Sequence, residues 1–257
     1  MHPDFWEPIH VPGAAQVFSI RGPNYLKDRK KIPAGTGRFR LLACDLAATP
    51  GVVTHVARFL PSVRLSGCPF MFVVNLLIPG AGTNPCLHLV MVFGAPAHPN
   101  SLGACPDDPL DAGPEWTPFD FTLSRFLHST DYERNGTFKL IPHCAKGSWI
   151  ICQTVGTTPV ILGRKLPTTS YVLTDRYIEV DVNVATNPAV SYVVNMVQGA
   201  TKAMVIDHAY LLEGHFTHEL PEALIGAVRF KHLDMTQYVF VDTEHEILQA
   251  PPDPAWR

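Results

Sequence analysis

Seven consecutive residues, Glu213-Gly214-His215-Phe216-Thr217-His218-Glu219, hold two histidines and two carboxylates. Imidazole nitrogen and carboxylate oxygen are the donors that zinc takes in a tetrahedron. With 12 histidines in the chain, one close pair also arises in an ordinary polar loop, and no metal site is expected here. A cysteine nucleophile needs a positioned base and a lowered pKa. Cys44-Asp45 and His143-Cys144 offer adjacency alone, and neighbours on a strand point to opposite faces. The sequence has no GxGxxG after a strand, no Walker loop, no GxSxG elbow and no HExxH helix,. Gly35-Thr36-Gly37 and Gly80-Ala81-Gly82 read as turns. The expectation is a protein that is not an enzyme and carries no cofactor.

A second candidate is a charge cluster. Lys27, Arg29, Lys30, Lys31, Arg38 and Arg40 place six of the 20 basic residues within 14 positions. Anionic lipid headgroups favour such a patch by about 1 kcal/mol per basic residue near the surface. The bland alternative is a solvated loop before a strand. Nucleic acid is disfavoured as partner, because the chain carries a net charge of −3 and interleaves only Tyr25 with these bases,.

The third candidate is apolar. Phe72, Val74, Leu76, Met91, Phe93, Trp149, Ile151, Val193, Met196, Val197 and Met204 can pack as a core or line a cavity between a curved sheet and a helix. Taken alone, these residues favour the filled core, since interiors are close-packed.

The 257 residues are 46% hydrophobic and 17% charged, which rules out disorder,. Twenty-four prolines predict many short elements and exclude a long bundle,. No run of about 18 apolar residues is present, so no membrane-spanning helix is expected,. The N-terminus lacks a basic and an apolar signal region,. Six cysteines without a CxxC pattern then read as reduced thiols,, and the sequon Asn135-Gly136-Thr137 carries no expectation of glycosylation. Residues 1–16 form an irregular arm, 17–235 a single domain, and 236–257 an extension ending in a Pro-rich tail. Residues 94–118, with six prolines, form a long loop,.

Tyr177 to Val184 alternates apolar and polar residues, which predicts a half-exposed antiparallel strand,. Phe70 to Ile78, Leu87 to Phe93, Trp149 to Val155 and Val205 to Leu212 are further strand candidates,. Helices are expected after Thr49-Pro50 and Asn187-Pro188, the latter running over 188–204, and over Phe119 to His128 and Leu220 to Phe230,. The fold class is α+β, a curved, largely antiparallel sheet packed on about four helices.

Several blocks carry a resemblance. They include Arg21-Gly22-Pro23-Asn24-Tyr25-Leu26, Leu41-Leu42-Ala43-Cys44-Asp45-Leu46 and Phe72-Val73-Val74-Asn75-Leu76-Leu77-Ile78-Pro79-Gly80. Phe138-Lys139-Leu140-Ile141-Pro142, Lys146-Gly147-Ser148-Trp149-Ile150 and 155–165 follow. Tyr177 to Val182 and Glu219 to Arg229 complete the order. Over about 17–235 the chain resembles the C-terminal domain of the plant enhanced disease resistance 2 proteins. There the domain follows a pleckstrin-homology and a lipid-binding START domain, which implies a lipid-linked setting by association. The family pattern lacks the insertion 94–118 with Cys105 and Asp107-Asp108, and lacks the histidines of 213–219.

Joined to the residues, the resemblance leads to one expectation: binding or transport of a lipid, sterol, fatty acid or pigment in an internal pocket. The 27–40 bases would dock the protein transiently on anionic membrane, in a cytoplasmic or peripheral setting. Two alternatives stay open: a regulatory interaction module with a filled core, and, weakest, a Cys/His enzyme. Oligomeric state is not legible.

Overall fold

Segments of nine and ten residues at Phe70–Ile78 and Cys86–Ala95, apolar apart from Asn75 and His88, satisfy their backbones as neighbours inside a sheet. They pair antiparallel, with Phe72 opposite Phe93 and Val74 opposite Met91,. A computed structural model describes residues 1–9, 17–78, 85–106, 108–173, 175–184, 199–241 and 243. Its strands are β1 (Trp6–Pro8), β2 (Ser19–Arg21), β3 (Lys31–Pro33), β4 (Arg40–Thr49), β5 (Phe70–Ile78), β6 (Cys86–Ala95) and β7 (Phe138–Lys146). The later strands are β8 (Val160–Ile161), β9 (Thr168–Leu173), β10 (Tyr177–Asn183), β11 (Val205–Leu212), β12 (Leu224–Lys231) and β13 (Val239–Phe240). The helices are α1 (Tyr25–Asp28), α2 (Pro61–Arg64), α3 (Pro118–His128), α4 (Asp131–Asn135) and α5 (Trp149–Val155).

The expected single curved sheet is corrected to two sheets and a ribbon. A six-stranded sheet runs β13-β4-β6-β5-β10-β9, parallel at β5/β10 and β4/β13 and antiparallel elsewhere. A five-stranded antiparallel sheet runs β1-β12-β11-β7-β8, and β2 pairs β3 as a separate ribbon. Helices number five among the described residues rather than about four.

The sheets face each other across one core. Phe72 of β5 packs on Phe126 of α3 and on Phe138 of β7, at 5.8 and 5.6 Å between ring centres. Phe138 in turn stacks on Tyr210 of β11 at 5.8 Å. Offset aromatic contacts of this kind add to the area buried. The outer face of the six-stranded sheet is covered by Val56, Ala57, Phe59, Leu60 and Val63. The ribbon lays Phe18 and Ile20 on the outer face of the other sheet, against Ile141, Ala209, Leu211 and Leu224.

Four expectations about elements are corrected. Trp149–Val155 is helical: Ser148 caps it by accepting the Ile151 N–H, and Gly156 ends it at φ 63°,. Residues 220–230 give β12 instead of a helix, because β12 is claimed on both edges, by β1 and β11. After Thr49 the chain makes a single 3-10 turn at Val56–Phe59 and then α2, not one long helix. Tyr177–Val184 is buried on both faces, since residues 52–64 cover the side that alternation leaves polar. The expected helix over 188–204 lies outside the described residues up to 198, and Thr201–Ala203 is a 3-10 turn. The reading of reduced thiols fails for one pair: Cys144 at the end of β7 and Cys152 of α5 form a disulfide, their Cα atoms 5.0 Å apart. Cys44, Cys68, Cys86 and Cys105 are free.

Candidate functional site

Phenylalanines and α3 fill one end of the space between the sheets; the other end is hollow. There the walls are smaller side chains, Leu76 of β5, Leu89 of β6 and Val182 of β10 facing Ile206 of β11 and Phe230 of β12. They bound a cavity of about 440 Å³, within the range of small-molecule sites. Leu162 and Leu166, from the turn after β8, close one side, and Met204 closes another. The rim carries Thr154 and Val155 of α5, Lys165, Thr201 and Met235. Lys165 is the only charged side chain among the described lining residues.

One titratable ring sits in this apolar wall. His208 follows Ile206 by two positions on β11 and precedes Tyr210 by two, so all three share the inner face,. Its Nδ1 lies 3.1 Å from the Tyr210 hydroxyl, and its ring meets Phe230 edge-on at 5.5 Å. Burial lowers its pKa to about 4, which keeps the imidazole neutral,. Burial likewise pushes the Tyr210 phenol up, so it holds its proton.

The residues singled out from sequence divide sharply. Leu76 and Met204 line the cavity. Phe72, Val74, Met91 and Phe93 are buried in the packed part of the core instead. Trp149 and Ile151 move with α5 to its surface, where Trp149 is 75% exposed and Ile151 half-buried. Val193, Met196 and Val197 lie outside the described residues. His208 went unread, although the alternation of Ile206, His208 and Tyr210 was present in the chain.

The basic residues do not form one patch. Lys27, Arg29, Lys30 and Lys31 belong to the α1 hairpin between β2 and β3, where Arg21 and Arg29 stack on the Tyr25 ring at 4.8 and 5.7 Å,. Arg38 and Arg40 line a separate depression beside Phe39, Ser66 and Cys68.

The His-rich loop is used structurally. Glu213 pairs with Arg21 at 3.1 Å and Lys139 at 3.2 Å. Arg125 of α3 grips Glu219, its Nε and Nη2 donating to the two carboxylate oxygens, and His218 packs its ring against Phe121 and Phe216. Among the described residues no group of three or more His, Cys, Asp or Glu is arranged to hold a metal ion. Cys44 is buried, and burial followed by the charge of Asp45 pushes its thiol well up, away from nucleophilic character,. Cys144 is spent in the disulfide.

A second polar cluster escaped the sequence reading. On the outer face of the six-stranded sheet, Asn75 Nδ2 donates to Asp181 Oδ1 at 2.8 Å, and the His55 N–H donates to Asp181 Oδ2 at 2.8 Å. The Ala57 N–H is shared by both Glu179 oxygens at 3.2 Å. His88 links Thr49 at 2.9 Å to Asn75 at 3.3 Å. Glu179 and Asp181 looked solvent-facing because alternation alone cannot foresee the covering segment.

Among the described residues no helix is long and apolar enough to cross a membrane. Residues 10–234 match the family described as Protein ENHANCED DISEASE RESISTANCE 2, C-terminal. A protein of Arabidopsis thaliana described as Protein ENHANCED DISEASE RESISTANCE 2-like is 32% identical over 234 residues, covering 86% of this chain and 28% of the relative. The chain thus spans less than a third of that relative's length. No solved structure matches.

Proposed function

The chain belongs to the family of ENHANCED DISEASE RESISTANCE 2 C-terminal domains, and we propose that it binds and carries an apolar small molecule of lipid type between its two sheets. The observation that supports this is the cavity of about 440 Å³, walled by leucine, isoleucine, valine, methionine and phenylalanine and lined by one half-buried imidazole. Apolar walls with few placed polar groups are the general pattern of ligand pockets. Burial would supply affinity at about 25 cal/mol per Å² of apolar surface removed from water. Binding without chemistry is the activity proposed, in keeping with a sealed Cys44 and a bonded Cys144.

Loading and release would take place at an anionic membrane surface. Lys27, Arg29, Lys30 and Lys31 supply the charge. The helix α5, whose Thr154 and Val155 line the cavity, exposes Trp149 and Ile150, an aromatic and an aliphatic side chain of the sort that amphipathic helices bury at a bilayer boundary,.

The test is mass spectrometry of an organic-solvent extract, paired with native mass spectrometry, on protein purified without detergent. Uptake of the apolar fluorophore N-phenylnaphthylamine is measured alongside. A stoichiometric apolar adduct, or saturable uptake that Met204→Trp abolishes while the melting transition survives, is expected. A clean apo mass together with no uptake overturns the proposal.

A further inference from the structure

We propose that His208 is the polar anchor of this cavity and that it selects apolar molecules ending in an uncharged oxygen acceptor, such as an alcohol, ketone or ester, over carboxylates of the same chain length. The inference deepens the carrier reading and rests on it.

The argument starts from Tyr210. Its hydroxyl is buried with its ring, and a buried O–H needs an acceptor,. Among the described residues the partner in reach is His208 Nδ1, at 3.1 Å. The phenol keeps its proton, so Tyr210 donates and Nδ1 accepts. A neutral imidazole that accepts at Nδ1 carries its hydrogen on Nε2. His208 lines the cavity, so the group it offers to an occupant is an N–H donor without charge.

A donor of that kind fits a carbonyl, ester or hydroxyl oxygen. It serves a carboxylate poorly. Bringing an ionised group into an apolar wall carries a large desolvation penalty, and a neutral ring returns no charge to offset it. The only charged side chain among the described lining residues is Lys165, and it is exposed, whereas Ile206 and Tyr210 on the β11 wall are buried. The fold therefore sorts headgroups by depth: neutral oxygen inside, charge left outside.

Competition on the full chain tests this. Cetyl alcohol, methyl palmitate and palmitate are titrated against bound N-phenylnaphthylamine, in wild type, His208→Phe and Tyr210→Phe. Wild type is expected to favour the alcohol and the ester over palmitate by about tenfold, the scale of one well-placed hydrogen bond. His208→Phe keeps the apolar bulk, weakens the alcohol and the ester, and so shrinks the preference. Tyr210→Phe frees the tautomer and weakens it, which keeps the test alive if the histidine variant does not fold. Equal or tighter binding of palmitate by wild type overturns the assignment, as does a preference undiminished in both variants. Failure of wild type to take up the fluorophore at all overturns the cavity reading itself, a different result from uptake without discrimination.

Discussion

Glu179 and Asp181 stand two residues apart on β10, turn to the same face of the six-stranded sheet, and share a hydrogen bond while both are buried. Burial first, then the neighbouring Asp181 charge, pushes the Glu179 carboxyl up to about 9. Burial raises Asp181 as well, against the N–H of His55 and the amide of Asn75, which favour its ionised form. One proton therefore sits between the two carboxyls at neutral pH, with Glu179 holding it. A folded pKa above the unfolded one means that the native state binds the extra proton. Its contribution is full below about pH 4.5 and is lost as pH rises toward 9. The expected slope is at most about 1.4 kcal/mol per pH unit for one proton. Thermal melts of wild type should fall between pH 6 and 9, and Glu179→Gln should flatten that decline. A wild type that grows more stable over this range would contradict the assignment.

His88 and His208 set the acid limit. Burial holds both near 4 in the folded chain, against an ordinary 6.5. These are depressed values, so the stability they contribute is present above pH 6.5 and lost as pH falls toward 4. His88→Gln, which keeps a polar group beside Thr49 and Asn75, should reduce the acid loss in urea titrations at pH 4.5. An unchanged acid limb would refute this.

Arg125 is a strut between α3 and the 213–219 loop. Its guanidinium meets both oxygens of buried Glu219 and the Glu213 carbonyl at 3.0 Å. Burial pushes the Glu219 carboxyl up, yet Arg125 and the His215 and Phe216 N–H groups bring it below the usual range. Arg125→Ala leaves a buried carboxylate without its counter-ion and should cost about 3–5 kcal/mol. Adding Glu219→Gln should recover part of that loss in urea unfolding; a worse double variant would argue against the strut.

Two glycines in one turn separate by function. A Cβ at Gly37 would lie 2.7 Å from the Gly226 Cα, whereas one at Gly35 meets nothing within 4 Å. Gly37 lets the entry to β4 press against β12, next to the bonds from Arg38 N–H to Leu224 and Phe39 N–H to Ile225. Gly37→Ala should destabilise by about 1–3 kcal/mol, and Gly35→Ala should be neutral or slightly stabilising. Equal effects in differential scanning calorimetry would count against the close approach.

The Cys144–Cys152 bond closes a loop of eight residues. The loop-entropy relation gives a stabilisation of about 2–3 kcal/mol for such a short closure. Peptide mapping without reductant should recover the two cysteines in one linked fragment, and Cys152→Ser should increase proteolysis within α5. Free thiols at both positions after purification in air would refute the pairing.

What the chain discloses and what it hides follow from range. Phe70–Ile78 and Val205–Leu212 are legible as strands because nearly every residue is apolar or β-branched,. The helix from Phe119 is legible through its apolar spacing. Trp149–Val155 misleads because isoleucine and tryptophan favour strands, while the deciding signals are a serine cap and a bounding glycine. Leu220–Phe230 misleads because its spacing also suits a helix, while the strand is fixed by pairing with the preceding β11 and with β1 from the far end of the chain. For the cavity, Leu76 and Met204 could be named, but Phe72 and Phe93 look no different in sequence. Whether an apolar side chain fills or lines depends on what stands opposite, and α3 decides that for the phenylalanines. His208 stays hidden because a lone histidine in an apolar run carries no spacing signature.

The parallel pairing of β5 with β10 also fixes an order of events during synthesis. Asn75 and Asp181, joined across that pair, are 106 residues apart. At about 5–20 residues per second, a ribosome presents β5 for roughly 5–20 s before its neighbour exists. During that interval β4, β6 and β5 can already pair among themselves, leaving Phe70–Ile78 as an open edge that is apolar except for Asn75,. On that ground the nascent chain is expected to engage holding chaperones until the far strand arrives. Depleting them should shift newly made protein into aggregates without altering the stability of molecules already folded.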